Sequence, residues 1–256
     1  TLSLKLLKWR WYSFLKMQIK VARKLDPIIV VSENTRKDVV KDFKIDPKKT
    51  RKVLHGIDHK TFEPIPSIKR KKNQLITTAS ADVPLKGLIY LIRAYSELLN
   101  EFPDLSLVVI GKLRDGPTSN ELDKKDIKNK VKFISDLTSR EIAELYAEST
   151  IAISPSVYEG FGFPAGEAMS CGIPLISTNG GSLPEVVGDS GIIVPHSNPN
   201  ELRKAIKELL LSPEKRKKLG EKGRKRVLEK FTWKRAAKEL VEVYREAISN
   251  ADNRSR

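Results

Sequence analysis

Strand-like and helix-like segments alternate along almost the whole chain, and this alternation restricts the possible folds more than any other feature. Short apolar runs at 74–79, 105–110 and 151–154 are typical of buried strands. Other segments show helical patterns: Leu85 begins an apolar face that repeats at helical spacing to Phe102, and helix caps are predicted at Ser32, Thr138 and Asn198. Parallel strands need crossover connections, which are usually helices. The alternation therefore favours an α/β fold in which a mainly parallel sheet is flanked by helices.

The alternation is interrupted once, by a stretch that is rich in proline and basic residues. Pro64, Pro66 and the basic run 69–72 predict a linker there. The predicted organisation begins with a truncated first domain (1–58) and a linker (59–73). A complete second domain (74–230) follows, and then a C-terminal helix (231–256) that returns towards the first domain. Because the chain enters directly into a helix-like pattern at Thr1, we expect a fragment of a longer protein.

The composition excludes several classes of protein. A single cysteine, Cys171, permits no intramolecular disulfide, and this fits a reducing cytoplasm. No apolar run reaches the ~20 residues of a membrane-spanning helix. The three histidines, His55, His59 and His196, are scattered and do not form a cluster of metal ligands. We therefore expect neither a disulfide framework nor a metal site.

The net charge of +16 would suit nucleic acid, anionic lipid or a phosphorylated substrate. Much of this charge lies in runs such as 69–72 and 215–218, which are more typical of solvated loops and helix faces. Residues 4–24 mix aromatic and basic residues, as in a helix on an anionic membrane surface. The strand that follows favours instead a helix packed on its own sheet. No nucleic-acid recognition pattern is present, so we expect no nucleic-acid partner.

Residues 154–167 carry the most informative pattern, because they follow a predicted strand and open a predicted helix. Ligands of open parallel sheets bind outside the carboxyl ends of the strands. Gly160 and Gly162 would allow the backbone to approach a ligand closely. The free N–H groups near Gly162 and Phe163 would face an anion such as phosphate. This loop is therefore the expected position of a binding site.

Two glutamates flank the same turn. Ionised carboxylates only accept hydrogen bonds, so Glu159 and Glu167 would suit the hydroxyls of ribose and sugar. From the residues alone, an alternative stays open: Glu159 would cap the helix, and Glu167 would be a favourable acid in its first turns.

The run Glu-Gly-Phe-Gly-Phe-Pro-x-x-Glu-Ala-Met-x-Cys-Gly-x-Pro, at residues 159–174, resembles the signature of the family-4 retaining glycosyltransferases (group 1). Its mark is a pair of glutamates separated by seven residues. The resemblance extends over nearly the whole chain, with further matches at 32–35, 56–58, 180–185 and 231–233. It implies the GT-B fold, in which a Rossmann-like donor-binding domain is accompanied here by part of a second, acceptor-side Rossmann-like domain.

The resemblance also implies roles for individual residues. Glu167 would bind the ribose hydroxyls, and Glu159 would contact the transferred sugar near its reacting face. The loop around Ser135 would receive the base, and Lys86 would neutralise the leaving diphosphate. Apart from the resemblance, Lys112 is a candidate for a further cation that helps to balance the diphosphate. Backbone amides of the turn would hold sugar hydroxyls and diphosphate, at Phe161, Gly162 and Phe163.

The sequence departs from this pattern at one position. The arginine that usually precedes the lysine by five residues is replaced by Ala81, and Asp82 follows it. One expected cation is therefore missing, and Lys86 could also be an ordinary exposed lysine. The chain has no Asp-x-Asp motif, by which many other glycosyltransferases hold a divalent metal. We therefore expect a metal-independent enzyme without a cofactor.

The resemblance implies a hexosyltransferase-type enzyme of glycan biosynthesis. It would move a sugar from a nucleotide-diphosphate-sugar donor to a glycan or lipid-linked acceptor, with retention at the anomeric carbon. Since the acceptor side is mostly absent, this fragment could bind donor without turnover. Two alternatives remain: a non-catalytic basic module for anionic lipid or nucleic acid, and another GT-B enzyme such as a sugar epimerase or phosphorylase. The expected location is the cytoplasm, with or without peripheral contact at the inner face of the membrane.

Overall fold

A computed structural model describes residues 13–79 and 83–254, which form two compact units. Of the described residues, 13–54 and 236–254 belong to the first unit, and 55–79 and 83–235 belong to the second. Residues 59–73, predicted as a linker, belong to the second unit. The domain boundaries themselves stay a prediction. Within the described ranges, no helix combines the length and the apolar character needed to cross a membrane.

The first unit contains a small parallel sheet of two strands, in which Ile29 pairs with Arg51. Ser32 caps the intervening helix as predicted, because its hydroxyl accepts a hydrogen bond from the Thr35 amide at 3.0 Å. An ion pair joins Arg51 to Glu246. The elements are helical residues 13–22 (α1), β1 (Ile28–Val30), α2 (Glu33–Phe43), β2 (Thr50–Lys52) and most of α10 (Trp233–Arg254).

The predicted helix at residues 4–24 is confirmed only over 13–22. Residues 4–12, with the aromatic side chains on which the membrane hypothesis depends, lie outside the described residues. Peripheral membrane contact therefore stays a hypothesis.

The second unit is built on a sheet of six strands, all parallel, in the order β5-β4-β3-β6-β7-β8. The strands are β3 (Gln74–Thr78), β4 (Ser106–Ile110), β5 (Val131–Ile134), β6 (Ile151–Ser154), β7 (Leu175–Thr178) and β8 (Ile192–Val194). The helices are α3 (Leu88–Leu98), α4 (Pro117–Lys124), α5 (Ser139–Glu148), α6 (Phe163–Ser170), α7 (Leu183–Val187), α8 (Pro199–Leu211) and α9 (Pro213–Lys230). The expected α/β class is confirmed.

The core of this unit lies between the sheet and a pair of helices. Helix α3 packs against α8, which also contacts β7 and β8, and buried side chains of both helices share one core cluster with those of β3 and β4. Side chains such as Leu91, Leu107 and Ile206 are fully or almost fully buried there. Removing this apolar surface from water is the main favourable contribution to the fold. The rigid sheet then fixes the positions of the loops that leave its strand ends.

The strand order reverses between β3 and β6. From β3 the chain runs to β4 and β5 on one side, then crosses to β6 on the other side of β3. In open α/β sheets, such a reversal leaves a crevice outside the carboxyl ends of the two strands, where ligands bind. The loops after β3 and β6 therefore flank the expected site.

Three local predictions were wrong or incomplete. Leu85 was placed on the apolar face of the helix after β3, but it is 54% exposed. The reason is that 84–86 forms a separate 3₁₀ turn, and α3 begins only after Gly87, whose φ is 64°. The short helices α4 and α7 were not predicted. With eight and five residues, they are too short to show a helical period.

Candidate functional site

An ion pair lies at the point where the strand order reverses. Lys86 Nζ, from the turn after β3, is 2.7 Å from Oε1 of Glu159, in the loop after β6. The Ser156 hydroxyl donates to the same carboxylate oxygen at 2.8 Å. The Lys86 side chain is 32% exposed, and that of Glu159 only 14%. The ammonium is therefore the more accessible partner of the pair.

Backbone contacts, rather than the ion pair alone, hold the two loops together. The Val157 amide donates to the Leu85 carbonyl at 2.8 Å. Gly87 has a φ of 64°, and a Cβ atom there would lie 2.1 Å from the Pro155 carbonyl oxygen. Only glycine permits this close approach without strain. The residue after Lys86 thus fixes the position of the lysine beside Glu159.

The loop after β7 supports the Glu159 turn from the other side. The Ser182 amide donates to the Glu159 carbonyl at 2.9 Å. The buried Ser182 hydroxyl lies 2.9 Å from that oxygen and 2.8 Å from the Phe161 carbonyl oxygen, and it donates to one of them at a time. Gly181, with a φ of 61°, permits the approach, since a Cβ there would be 2.3 Å from the Glu159 carbonyl oxygen.

The N-terminus of α6 follows this turn directly. Gly162 is the N-cap residue with a φ of 98°, and no side chain caps the helix. The first-turn N–H groups and the helix dipole therefore present a positive end. A Cβ atom on Gly160 would meet no atom within 4 Å, so the turn is open at that position. The alternative role of Glu159 as a helix cap is excluded, because its carboxylate contacts Lys86 and Ser156 instead.

Glu167 lies about one turn inside α6. Burial raises its pKa to about 7. Among the residues that the structure describes, none donates a hydrogen bond to this carboxylate or forms an ion pair with it. The residue as a whole is only half-buried, so water or the hydroxyls of a ligand can supply the missing donors. This environment fits a group that binds hydroxyls.

The Tyr146 side chain bonds to the first turn of α6. Its buried hydroxyl lies 3.1 Å from Thr78 Oγ1, at the end of β3, and donates to the Pro164 carbonyl at 3.3 Å. Burial, together with the nearby charge of Glu167, raises the pKa of Tyr146. The tyrosine therefore links β3, α5 and the first turn of α6.

Ser135 and Lys112 form a second group with a residue that was not predicted, Asp136. The Asp136 carboxylate accepts from Lys112 Nζ and from the Ser135 hydroxyl, both at 2.9 Å. These hydrogen bonds lower the pKa of Asp136. The three residues follow β4 and β5, whereas Lys86 and Glu159 follow β3 and β6. The predicted site residues thus lie along one edge of the sheet.

The side chains of Phe161 and Phe163 belong to an aromatic cluster with His55. The two phenyl centroids are 5.1 Å apart, and the His55 ring lies 5.2 Å from Phe161 and 5.1 Å from Phe163. Burial lowers the pKa of His55. Phe161 is buried, so its side chain packs within the unit while its carbonyl oxygen is held by Ser182.

Sequence reasoning missed the residues that orient this site, namely Ser156, Ser182, Tyr146 and Asp136. Ser156 lies within the 154–167 stretch and Ser182 within the matched motif at 180–185, but their hydrogen-bond partners are apparent only from the fold. Ala81 and Asp82 lie outside the described residues, so the missing cation stays a prediction. No group of three or more potential metal ligands occurs within 13–79 and 83–254.

Comparison with known proteins identifies the family. The sequence profile described as "Glycosyl transferases group 1" matches residues 60–226. A curated "MMP alpha-(1->4)-mannosyltransferase" from Mycolicibacterium hassiacum is 39% identical over 244 residues, which are 94% of this chain and 59% of the relative. The chain thus spans somewhat more than half the length of that relative.

Solved structures show the same fold. Sucrose-phosphate synthase from Thermosynechococcus elongatus matches with a TM-score of 0.81 and 24% identity, over 93% of this chain and 62% of the other. Anabaena Alr3699/HepE, in complex with UDP and glucose, matches with a TM-score of 0.80 and 18% identity, over 90% and 66%. The predicted GT-B type, with its Rossmann-like parallel sheet, is confirmed. The chain belongs to the group 1 glycosyl transferases.

Proposed function

We propose that the second unit binds a nucleotide-diphosphate sugar in the crevice between β3 and β6. The observation that carries this proposal is the Lys86–Glu159 ion pair, which lies at the strand reversal beside the uncapped N-terminus of α6. A diphosphate would compete with Glu159 for the ammonium and accept from the helix amides. The HepE protein was solved in complex with UDP and glucose, and this supports the same class of donor here.

Each group then has a distinct role. Lys86 and the dipole of α6 stabilise the negative charge that develops on the leaving diphosphate. Once a diphosphate binds the Lys86 ammonium, the Glu159 carboxylate accepts hydrogen bonds from the hydroxyls of the sugar. Glu167 accepts from the ribose hydroxyls, and Ser135 lies in the loop that receives the base. Neither glutamate needs to act as a covalent nucleophile.

Calorimetric titration with UDP-glucose, GDP-mannose and ADP-glucose tests donor binding. We expect saturable binding of at least one of them, which Glu167→Gln and Lys86→Ala each weaken by about tenfold or more, since each variant removes one charge-assisted contact. The control is Lys128→Ala, because Lys128 also pairs with a carboxylate, Asp123, but at the opposite end of β5 from the site loops. Equal losses in all three variants, or no saturable binding, would contradict the proposal.

We further propose that the whole protein transfers the sugar to a glycan or lipid-linked acceptor with retention, and without a metal. The α-linkage in the name of the mannosyltransferase relative supports an α-configured product. Proton NMR of the sugar first released by hydrolysis of the bound α-linked donor should show the α-anomer, with or without a chelator present. Initial release of the β-anomer would contradict retention, and loss of hydrolysis with chelator would contradict metal independence.

A further inference from the structure

A cavity of about 830 Å³ lies where α9 faces the segment around Pro64 and Arg70. We propose that this α9 cavity binds an organic phosphate with an apolar body. Its volume falls within the range typical of small-molecule sites. Arginine and lysine side chains dominate its polar lining, at Arg70, Arg216, Lys217, Arg224 and Lys225.

The three arginines retain unused donors. Arg70 Nη2 donates to the Gly172 carbonyl at 3.0 Å, Arg216 Nη1 to the Leu210 carbonyl at 2.7 Å, and Arg224 Nη1 to carbonyls that include Ser170 at 2.9 Å. None of the three forms an ion pair with a carboxylate in the described part of the chain, and each has further guanidinium N–H groups. Planar guanidinium groups match phosphate oxygens in pairs.

The charges in the cavity do not balance. Five cations line it, against two carboxylates, Glu221 and Glu229, and Glu229 lies 3.8 Å from Lys225. Burial lowers the pKa of Arg70, and the like charge of Arg216 nearby lowers it further. A doubly charged anion would relieve this repulsion. A phosphate monoester therefore fits better than a carboxylic acid.

The apolar walls of the cavity indicate the chemistry of the part of the ligand that is attached to the phosphate. Pro64, Pro213 and Leu228 line it, and Leu228 is 43% exposed. Inorganic phosphate would leave this apolar surface in contact with water, whereas an alkyl or aryl group would cover it. The ligand is therefore predicted to have an apolar body attached to its phosphate.

The α9 cavity is distinct from the proposed donor site. Gly172 lies just beyond the C-terminal end of α6, and Arg224 bonds to Ser170 in the last turn of that helix. Glu159 and Gly162 lie at its opposite end. The two sites should therefore be occupied independently, and the cavity proposal does not depend on the proposed donor.

Calorimetric titration with octyl phosphate, below the concentration at which it forms micelles, tests the proposal. We expect one saturable site that remains when UDP is saturating. Arg70→Gln should weaken it at least tenfold, because a bidentate contact is lost, while Arg140→Gln on α5 should not. Leu228→Glu, which places a carboxylate in the cavity, should also weaken it, while Leu211→Glu outside the cavity should not.

Circular dichroism would establish that the variants are folded. If Arg70→Gln is unfolded, Leu228→Glu still tests the cavity independently. Displacement of octyl phosphate by UDP, or equal affinity in all four variants and the unmodified chain, would overturn the proposal. Binding of inorganic phosphate with the same affinity as octyl phosphate would overturn the assignment of an apolar body.

Discussion

Glu167 combines three properties that follow from a single position. It lies on α6, its burial raises its pKa to about 7, and no described residue donates to its carboxylate. Folding buries this group and therefore favours its protonated form. A ligand whose hydroxyls donate to the ionised carboxylate would shift the protonation equilibrium of Glu167 back towards the ionised form. Proton uptake and ligand binding are thus coupled at this residue.

Donor affinity should therefore depend on pH through Glu167. We expect affinity for a nucleotide sugar to rise several-fold from about pH 6 to about pH 8, as the carboxyl loses its proton. The donor diphosphate does not change its charge near neutral pH, so the trend belongs to the protein. Glu167→Gln should bind weakly and without this trend. An identical pH profile in the variant would contradict the assignment.

The same shift predicts an opposite trend for stability. A carboxyl whose folded pKa lies above its unfolded value of ~4.3 stabilises the fold below that value, and this contribution is lost as pH rises through about 7. The melting temperature of Glu167→Gln, relative to the unmodified chain, should therefore be higher at about pH 8 than at about pH 5. Thermal unfolding followed by circular dichroism measures both values, and a difference that does not change with pH would count against the raised pKa.

Site residues could be predicted from the sequence where the residues that act together lie within one short motif. The spacing of Glu159 and Glu167, with Gly160 and Gly162 shortly after the first of them, indicates a turn at a helix start, and the structure has one there. Ser182 and Tyr146 act through carbonyl groups about 20 residues away in the chain. Such pairings exist only after the sheet has formed, so the sequence does not indicate what either side chain contacts.

Among the elements, α6 depends on its neighbours for the support of its N-terminus. It has no side-chain cap, the loop after β7 holds its preceding turn, and Tyr146 bonds to its first turn. By contrast, the capping box at Thr138 and Glu141 is complete within one turn of α5. Caps of this kind were predicted correctly from the sequence at Ser32, Thr138 and Asn198. The position of α6 requires the tertiary fold.

Loosening the support of α6 should therefore weaken donor binding. Ser182→Ala removes a buried hydroxyl from two carbonyl groups, and we expect a loss of about 1–3 kcal/mol in unfolding free energy, with weaker binding of the nucleotide sugar. Ser177→Ala is the matched control, since Ser177 is equally buried but, among the residues described, its hydroxyl bonds to the Thr178 carbonyl alone, at 3.3 Å. Denaturant titration and calorimetry separate the two effects. A Ser182→Ala variant with reduced stability but full affinity would show that the loop does not position the site.

On the scale of the whole chain, the net charge of +16 is the dominant property. It predicts weak binding to any polyanion, because released counterions drive such binding. Affinity for a single-stranded oligonucleotide should fall at least ~tenfold between ~50 and ~200 mM salt, without sequence preference. Donor affinity should change far less, since a nucleotide sugar carries few charges. Fluorescence anisotropy measures the affinity for the oligonucleotide, and calorimetry measures the affinity for the nucleotide sugar. Salt-resistant, sequence-selective oligonucleotide binding would instead support the alternative of a basic binding module.

The reversal of strand order between β3 and β6 has a consequence for how enzymes on this scaffold diversify. If the base lies near Ser135 and the sugar near Glu159, the two are recognised by loops on opposite sides of Lys86. The Lys112–Asp136 contact and the Glu159–Ser182 contact share no residue. A mutation in one loop therefore leaves the hydrogen bonds of the other intact. Nucleotide preference and sugar preference can then evolve, or be exchanged by an engineer, one at a time.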